Sequence, residues 1–476
     1  MRTEKAVYNE AILPEHKGNP LIEALPPKMQ QREIMDKLQY YPPLDKEIRR
    51  HEDPLVREEY TQRLKTLRQP LPLYFDCFRA IETAIKANYS AKNPFTPTTS
   101  QFLHYPVDSC PNIKPKTGWF EPKGDGITLI GESGVGKSSL LEQVLNYFPS
   151  VIQHDSYHGT ELEHKTQIVW LKVDCPNNSS VRDLCEEILL SIDLALGGAK
   201  TKPESTIGKL MRQIEQKIKV NFLGILVIDE MQRLVFNRTG GENNLLNFLH
   251  SLVNKLGIAL LFCANPPFDE TLSKTLKAAR RAESGGFFVM EPLERNSHAW
   301  ECFVEELWDL HWTNVTTELT EDLNDKLHEL SAGNVDMASR TYRNAQQLVI
   351  GTGDETINVA VLEQAYRKAC GLSSQTEEIR NLKIENQLPR RNKRQHLHGK
   401  GTAFSENSIK PNAIRDVTRP QHREFELQIR HAMNEIDVLS LIEYPSLLRD
   451  VEGEDDPFAI LKLKNILCTD PLDHFK

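Results

Sequence analysis

Three segments of the sequence predict an α/β fold organised on a parallel sheet. They are a glycine loop between a strand and a helix near residue 131, an apolar strand ending in two acids at 229–230, and a second apolar strand ending at Asn265. The first is the most informative. Residues 126–148 read GITLIGESGVGKSSLLEQVLNYF, and Gly131 to Ser138 fit G-x-x-x-x-G-K-[ST] at every fixed position. Ile127, Leu129 and Ile130 make a short strand, Gly131 breaks it, and Leu141, Leu145 and Phe148 then fall at helical spacing. Strand, loop and helix in that order aim free backbone N–H groups and a helix dipole at a phosphate. Gly134 and Gly136 let the backbone close around a β-phosphate, Lys137 reaches the β/γ oxygens, and the Ser138 hydroxyl is a magnesium ligand. Gly131, Glu132, Ser133, Gly134, Val135, Gly136, Lys137, Ser138 and Ser139 are therefore the candidate site for ATP, with Mg2+ as its companion.

The second segment, Leu223 to Ile228, is an unbroken apolar run apart from Gly224, as a strand buried on both faces should be. It ends in Asp229-Glu230, which places two carboxylates at the C-terminal edge of the sheet, where ligands of open α/β sheets sit. Asp229 would hold magnesium through its water shell, and Glu230 would polarise an attacking water. The third segment, Ile258 to Ala264, ends at Asn265, either a sensor orienting water against a γ-phosphate or the start of a turn before Pro266. Further on, Arg280-Arg281 precede the apolar strand Phe287 to Met290. Two arginines there suit a finger reaching into a neighbouring subunit's nucleotide, with either residue able to serve.

At 476 residues and 39% hydrophobic content, there is room for two or three domains with sizeable cores. No apolar run approaches the length of a spanning helix, and the charged start MRTEK lacks a secretory h-region. Eight cysteines without a C-x-x-C pair read as reduced core thiols of a cytosolic protein. The net charge of −9 does not advertise nucleic-acid binding, so any such contact must come from a local basic surface.

Along the chain, residues 1–52 read as a Pro-rich arm whose apolar stretch at Leu21-Ile22-Glu23-Ala24-Leu25 either packs on its own body or docks on a partner. Residues 53–117 form a helical N-terminal unit and connector. Asp53-Pro54 caps a helix to about Thr66, and a second helix runs from about Leu73 to Lys86. The β/α core spans 118–294, a helical lid 295–372, and a linker with a docking tail 373–476. The tail's apolar segments, Ile436 to Leu448 and Phe458 to Leu467, either order on a partner or pack back on the chain.

A P-loop, a strand ending in Asp-Glu, a sensor strand, paired arginines and a helical lid are together the pattern of AAA+ ATPases. The expected architecture is an AAA+ P-loop ATPase core with a parallel sheet, a helical N-terminal unit, a helical lid and an extended C-terminal tail. A narrower resemblance follows. Over about residues 19–372 the chain resembles the TnsC family, AAA+ regulators of cut-and-paste DNA transposition related to TniB. The residues that carry it are NPLIEALPP (19–27), LIGESGVGKSS with YFPSVIQH (129–154), VWLKVDC (169–175), LGILVIDEMQRL (223–234), KAARRAESGGFFVMEP (277–292) and AGNVDM (332–337). One departure stands out. Many AAA+ proteins carry a lid arginine just after this glycine, whereas here Asn334 follows it and Arg340 is the next arginine along.

The resemblance implies ATP-bound subunits that assemble as a homo-oligomer, a ring or helical filament, on double-stranded DNA in the bacterial cytoplasm at the nucleoid. They would take a signal from a target-selection protein and recruit transposase subunits. In related AAA+ proteins the segment after the second core strand grips DNA. Carried to this chain, that is Asn178 to Arg182 and the loop Ala199 to Lys202, which makes Ser180, Arg182, Lys200 and Lys202 the DNA-facing candidates. The plain alternative for them is a helix cap at Ser179 or Ser180 and a solvated loop. Rival functions are a DNA-replication initiator or loader, a P-loop signalling ATPase, or a small-molecule kinase. An initiator would be expected to carry a winged helix after the lid, against which the polar stretch beyond Gly371 argues.

Overall fold

The computed structural model describes residues 2–45, 47–105, 124–177, 180–233, 258–266, 268 and 282–371. A five-stranded parallel sheet lies at its centre, in the order β5 (Trp170–Asp174), β6 (Ile225–Asp229), β7 (Ala259–Ala264), β2 (Gly126–Gly131), β8 (Gly286–Met290). Strands β2, β6 and β7 are buried at every residue, which is why their sequences are continuous apolar runs. The two-residue period of a strand then divides their side chains between two layers. Leu226, Ile228, Leu260 and Phe262 meet Leu184, Ile188, Leu210 and Ile214 of the helices Val181–Ala195 and Ile207–Val220. Ile225, Val227, Ile127, Leu129 and Leu261 belong to the other layer.

That other layer is closed largely by chain that precedes the P-loop. The helix Pro72–Ser90 contributes Tyr74, Phe78, Ile81, Ile85 and Tyr89. The apolar stretch of the arm packs on its own body, with Leu21, Ile22 and Leu25 in the same cluster. Asn19 fixes it there by capping the short helix Pro20–Glu23 and donating from Nδ2 to Tyr89 O at 2.8 Å.

A second sheet is not anticipated by the sequence reading. The strand β1 (Thr3–Lys5) pairs in parallel with β3 (Val151–Tyr157), which forms an antiparallel hairpin with β4 (Thr160–Ile168). His158 (φ +46°) and Gly159 (φ +84°) make the turn, the positive-φ pair that a two-residue hairpin favours. The hairpin holds the arm through Gln167 Nε2 donating to Leu21 O (2.9 Å) and Tyr157 OH donating to Glu23 (2.6 Å).

The lid helices His298–Asp309, Glu321–Ser331 and Val335–Val349, with a further helix at 359–371, bury Trp300, Leu307, Leu327, Tyr342 and Ala345. Asp53 caps the helix Pro54–Tyr60, as its sequence predicts, and a 3-10 segment Thr61–Thr66 follows. Residues 53–90 therefore divide between two neighbours: Leu64 and Leu67 join the lid core, and the helix from Pro72 joins the sheet. No helix among the described residues is long and apolar enough to cross a membrane.

Candidate nucleotide-binding site

Strand β2 ends at Gly131 and the next helix starts at Lys137, so the loop between them stands at the C-terminal edge of the sheet. Gly134 (φ +85°) and Gly136 (φ +108°) take left-handed conformations that close the loop and that other residues reach only under strain. Lys137 is buried, and its Nζ donates to Gly131 O (2.8 Å) and Glu132 O (2.7 Å). Burial pulls its pKa down, opposed by Cys263, Asp229, Glu230 and Glu132. An ammonium held by neutral carbonyls in a desolvated loop is suited to a polyanion. Ser138, the next residue, is exposed.

Asp229 ends β6, buried, with Lys172 Nζ of β5 at 3.0 Å from its Oδ2; the same ammonium lies 2.6 Å from Asp174. Burial first and Asp229 second push the pKa of the Cys263 thiol up. Glu230 follows at φ +59°, and its Oε2 accepts from Gln232 Nε2 at 2.8 Å and pairs with Arg233 Nε at 3.3 Å. Gln232 Oε1 in turn accepts from the backbone N–H of Asn265 at 3.0 Å. This one side chain, to which the sequence reading assigns no role, joins the acid after β6 to the end of β7. Of the two roles left open for Asn265, the turn is present, its carbonyl accepting from Phe268 N; the residue also lines the cavity with Glu230.

The cavity measures about 430 Å³, within the range of small-molecule sites. Beyond the P-loop and Glu230, its walls come from the lid (Val335, Asp336, Arg340, Arg343) and from the N-terminal chain (Arg68, Tyr74). Arg340 is paired with Asp336 at 2.8 Å, and burial lowers the pKa of Arg343. Position 334 carries no arginine, and two arginines farther along the same helix line the cavity. Arg343 could have been found from its i+3 spacing to Arg340, whereas Arg68 and Tyr74 carry no signal in their local sequence. A buried ammonium in a glycine loop, a hydroxyl beside it and a buried carboxylate at the strand end are donors of the kind that suit a nucleoside triphosphate and its divalent cation, which Ser138 and Asp229 would hold.

The DNA-facing candidates do not share one character. Ser180 is the N-cap of the helix Val181–Ala195, in a capping box with Asp183. Arg182 donates to Ser205 O (2.6 Å) and Glu204 O (3.1 Å) and pairs with Glu186 (2.7 Å), stapling the following loop to its helix. Lys200 and Lys202 are exposed. Arg280, Arg281, Asn178, Ser179 and the tail 373–476 lie outside the described residues.

Residues 123–272 match the family model of an AAA domain, and the fold is that of an AAA+ P-loop ATPase. No curated protein sequence matches the chain. Among solved structures, the ORC1 protein of Aeropyrum pernix in complex with DNA is 16% identical, over 73% of this chain and 79% of that one, with a TM-score of 0.38. Cdc6p of Pyrobaculum aerophilum is 14% identical over 52% and 62% of the two chains, with a TM-score of 0.37. A Walker-type ATPase of Pyrococcus abyssi is 14% identical over 59% and 80%, with a TM-score of 0.36.

Proposed function

We propose that this AAA+ fold binds and hydrolyses ATP with Mg2+, and that the protein regulates DNA transposition as a homo-oligomer assembled on double-stranded DNA. The ATPase reading is supported by one convergence: Lys137, Ser138, Glu230 and Asn265 line a single cavity with Arg340 and Arg343 of the lid. The loop N–H groups and Lys137 would hold the β- and γ-phosphates. Ser138 and Asp229 would hold Mg2+, which when bound offsets phosphate charge. Asp229 would then share less of Lys172, an ammonium that Asp174 also holds at 2.6 Å. Glu230 would accept the proton of the attacking water, and Asn265 would orient that water.

The finer part rests on the motif resemblance to TnsC. Arg280 or Arg281 would complete a neighbouring subunit's site. Such a head-to-tail contact is heterologous and generates rings or filaments. Lys200 and Lys202 are the exposed cations for the DNA backbone; a target-selection protein and transposase subunits are the protein partners.

The test is ATP turnover with and without double-stranded DNA. Wild type is expected to be stimulated by DNA. Glu230→Gln should still bind ATP but hydrolyse it at least about a hundredfold more slowly, and Lys137→Ala should lose both ATP binding and assembly. Unchanged turnover in Glu230→Gln would refute the assignment of the base; a monomer indifferent to DNA would refute the DNA-bound role.

A further inference from the structure

Asn334 is 8% exposed and touches two parts of the molecule at once. Its Oδ1 caps the lid helix Val335–Val349, accepting from Asp336 N and Met337 N, each at 3.2 Å. Because that oxygen must accept, the other end of the amide is the donor, and Nδ2 donates to Ser133 O in the P-loop at 2.9 Å. Asp336 N also donates to Gly134 O at 3.1 Å. On the other side of the same turn, Gly333 O accepts from Leu293 N at 2.9 Å, in the segment that leaves β8 for the lid. The approach to the loop is close: a Cβ on Gly134 would lie 2.6 Å from Asn334 Oδ1.

We infer that Asn334 is a positioning residue that latches the lid to the P-loop, so that nucleotide in the loop and docking of the lid reinforce each other. The inference rests on the ATP-binding reading of the cavity and adds to it a route of regulation. A trans peptide points its N–H opposite to its C=O. Holding the carbonyls of Ser133 and Gly134 toward the lid therefore turns the N–H groups of Gly134 and Val135 away from it. Those are donors that the P-loop offers to phosphate, so the latch favours the loop conformation that binds phosphate. By linkage, phosphate in the loop then favours the latched lid by the same factor. The latched helix also carries Arg340 and Arg343 to the cavity wall. Of the good capping side chains only asparagine can accept at one end and donate at the other; aspartate cannot donate, and serine is too short to do both.

Asn334→Ser keeps a capping group and removes the contact to Ser133. Asn334→Asp, isosteric and as good a cap, covers the case in which serine unfolds the lid. ATP affinity is to be measured by titration calorimetry, with amide exchange of residues 335–340 followed with and without ATP. Both variants should melt as wild type does and lose roughly tenfold in ATP affinity, the upper end for one buried hydrogen bond. ATP should no longer protect the start of the lid helix. Wild-type affinity and protection in Asn334→Ser would overturn the latch, as would a loss confined to Asn334→Asp, which reports its charge. A wild-type protein that binds no ATP would instead overturn the site itself, and the latch with it.

Discussion

At Glu230 the backbone sits at φ +59°, a conformation costing a non-glycine residue about 1–3 kcal/mol and usually retained where a site needs it. The turn brings the carboxylate to Gln232, one hydrogen bond from Asn265. A comparable economy of reach applies to Arg343. It lines the cavity, burial lowers its pKa, and Asp336 is the acid that opposes this. With Asp336 already paired to Arg340, Arg343 is the lid cation better placed to meet a polyanion. Arg343→Ala should raise the KM for ATP about tenfold, a charge-assisted hydrogen bond's worth, and leave the melting temperature alone. An unchanged KM would assign the role to Arg340.

Between elements, the contact with the most at stake is Arg57 to Glu355, which joins the N-terminal helix Pro54–Tyr60 to the lid. Both side chains are buried and the pair is bidentate, Nη1 to Oε2 and Nη2 to Oε1, the latter at 2.7 Å. Burial alone would raise the pKa of Glu355. Arg57 and the N–H groups of Asn314 (2.6 Å) and Gly351 (2.8 Å) override that and hold it at about 2, below the ordinary 4.5. The unfolded chain binds the proton more readily in that window, so the pair's stability is complete above about pH 4.5 and is lost as pH falls toward 2. Over that interval the loss is about 3 kcal/mol. Glu355→Gln, which leaves the guanidinium buried without a counter-ion, should cost about 3–5 kcal/mol in denaturant unfolding; a cost under about 1 kcal/mol would show the pair to be incidental.

Neither this contact nor the hairpin β3–β4 was legible in the sequence. Arg57 and Glu355 are 298 residues apart, and β4 reads TELEHKTQI, with too few apolar residues to mark a strand; only the His158-Gly159 turn hinted at it. Strands β2, β6 and β7 were legible because burial on both faces demands continuous apolar runs. Within the site, the residues fixed by motif spacing were legible. Arg68 and Tyr74 reach the site only through the tertiary fold, as does the bond from Asn265 to Gln232.

At the scale of the whole molecule, the two faces of the central sheet are closed largely by chain from opposite directions. One face is packed by helices that follow the P-loop, the other by the arm and the helix Pro72–Ser90 that precede it, joined by the helix Lys137–Tyr147. Synthesis runs from the N-terminus, so Leu21, Ile22, Phe78 and Ile81 leave the ribosome long before β6 and β7, against which their layer closes. At about 5–20 residues per second, the wait from Ser90 to Ala264 is roughly 10–35 s. During it an amphipathic helix and an apolar arm have no sheet to cover. We therefore expect nascent chains arrested near residue 200 to be cleaved readily by protease between residues 20 and 90 and to recruit holdase chaperones, and chains arrested after β8 has emerged to resist cleavage. Equal resistance at both lengths would mean that the N-terminal segment folds unaided. The expected difference would place the burden of making this protein on its first ninety residues, which wait uncovered while the loop and the strands that follow it are made.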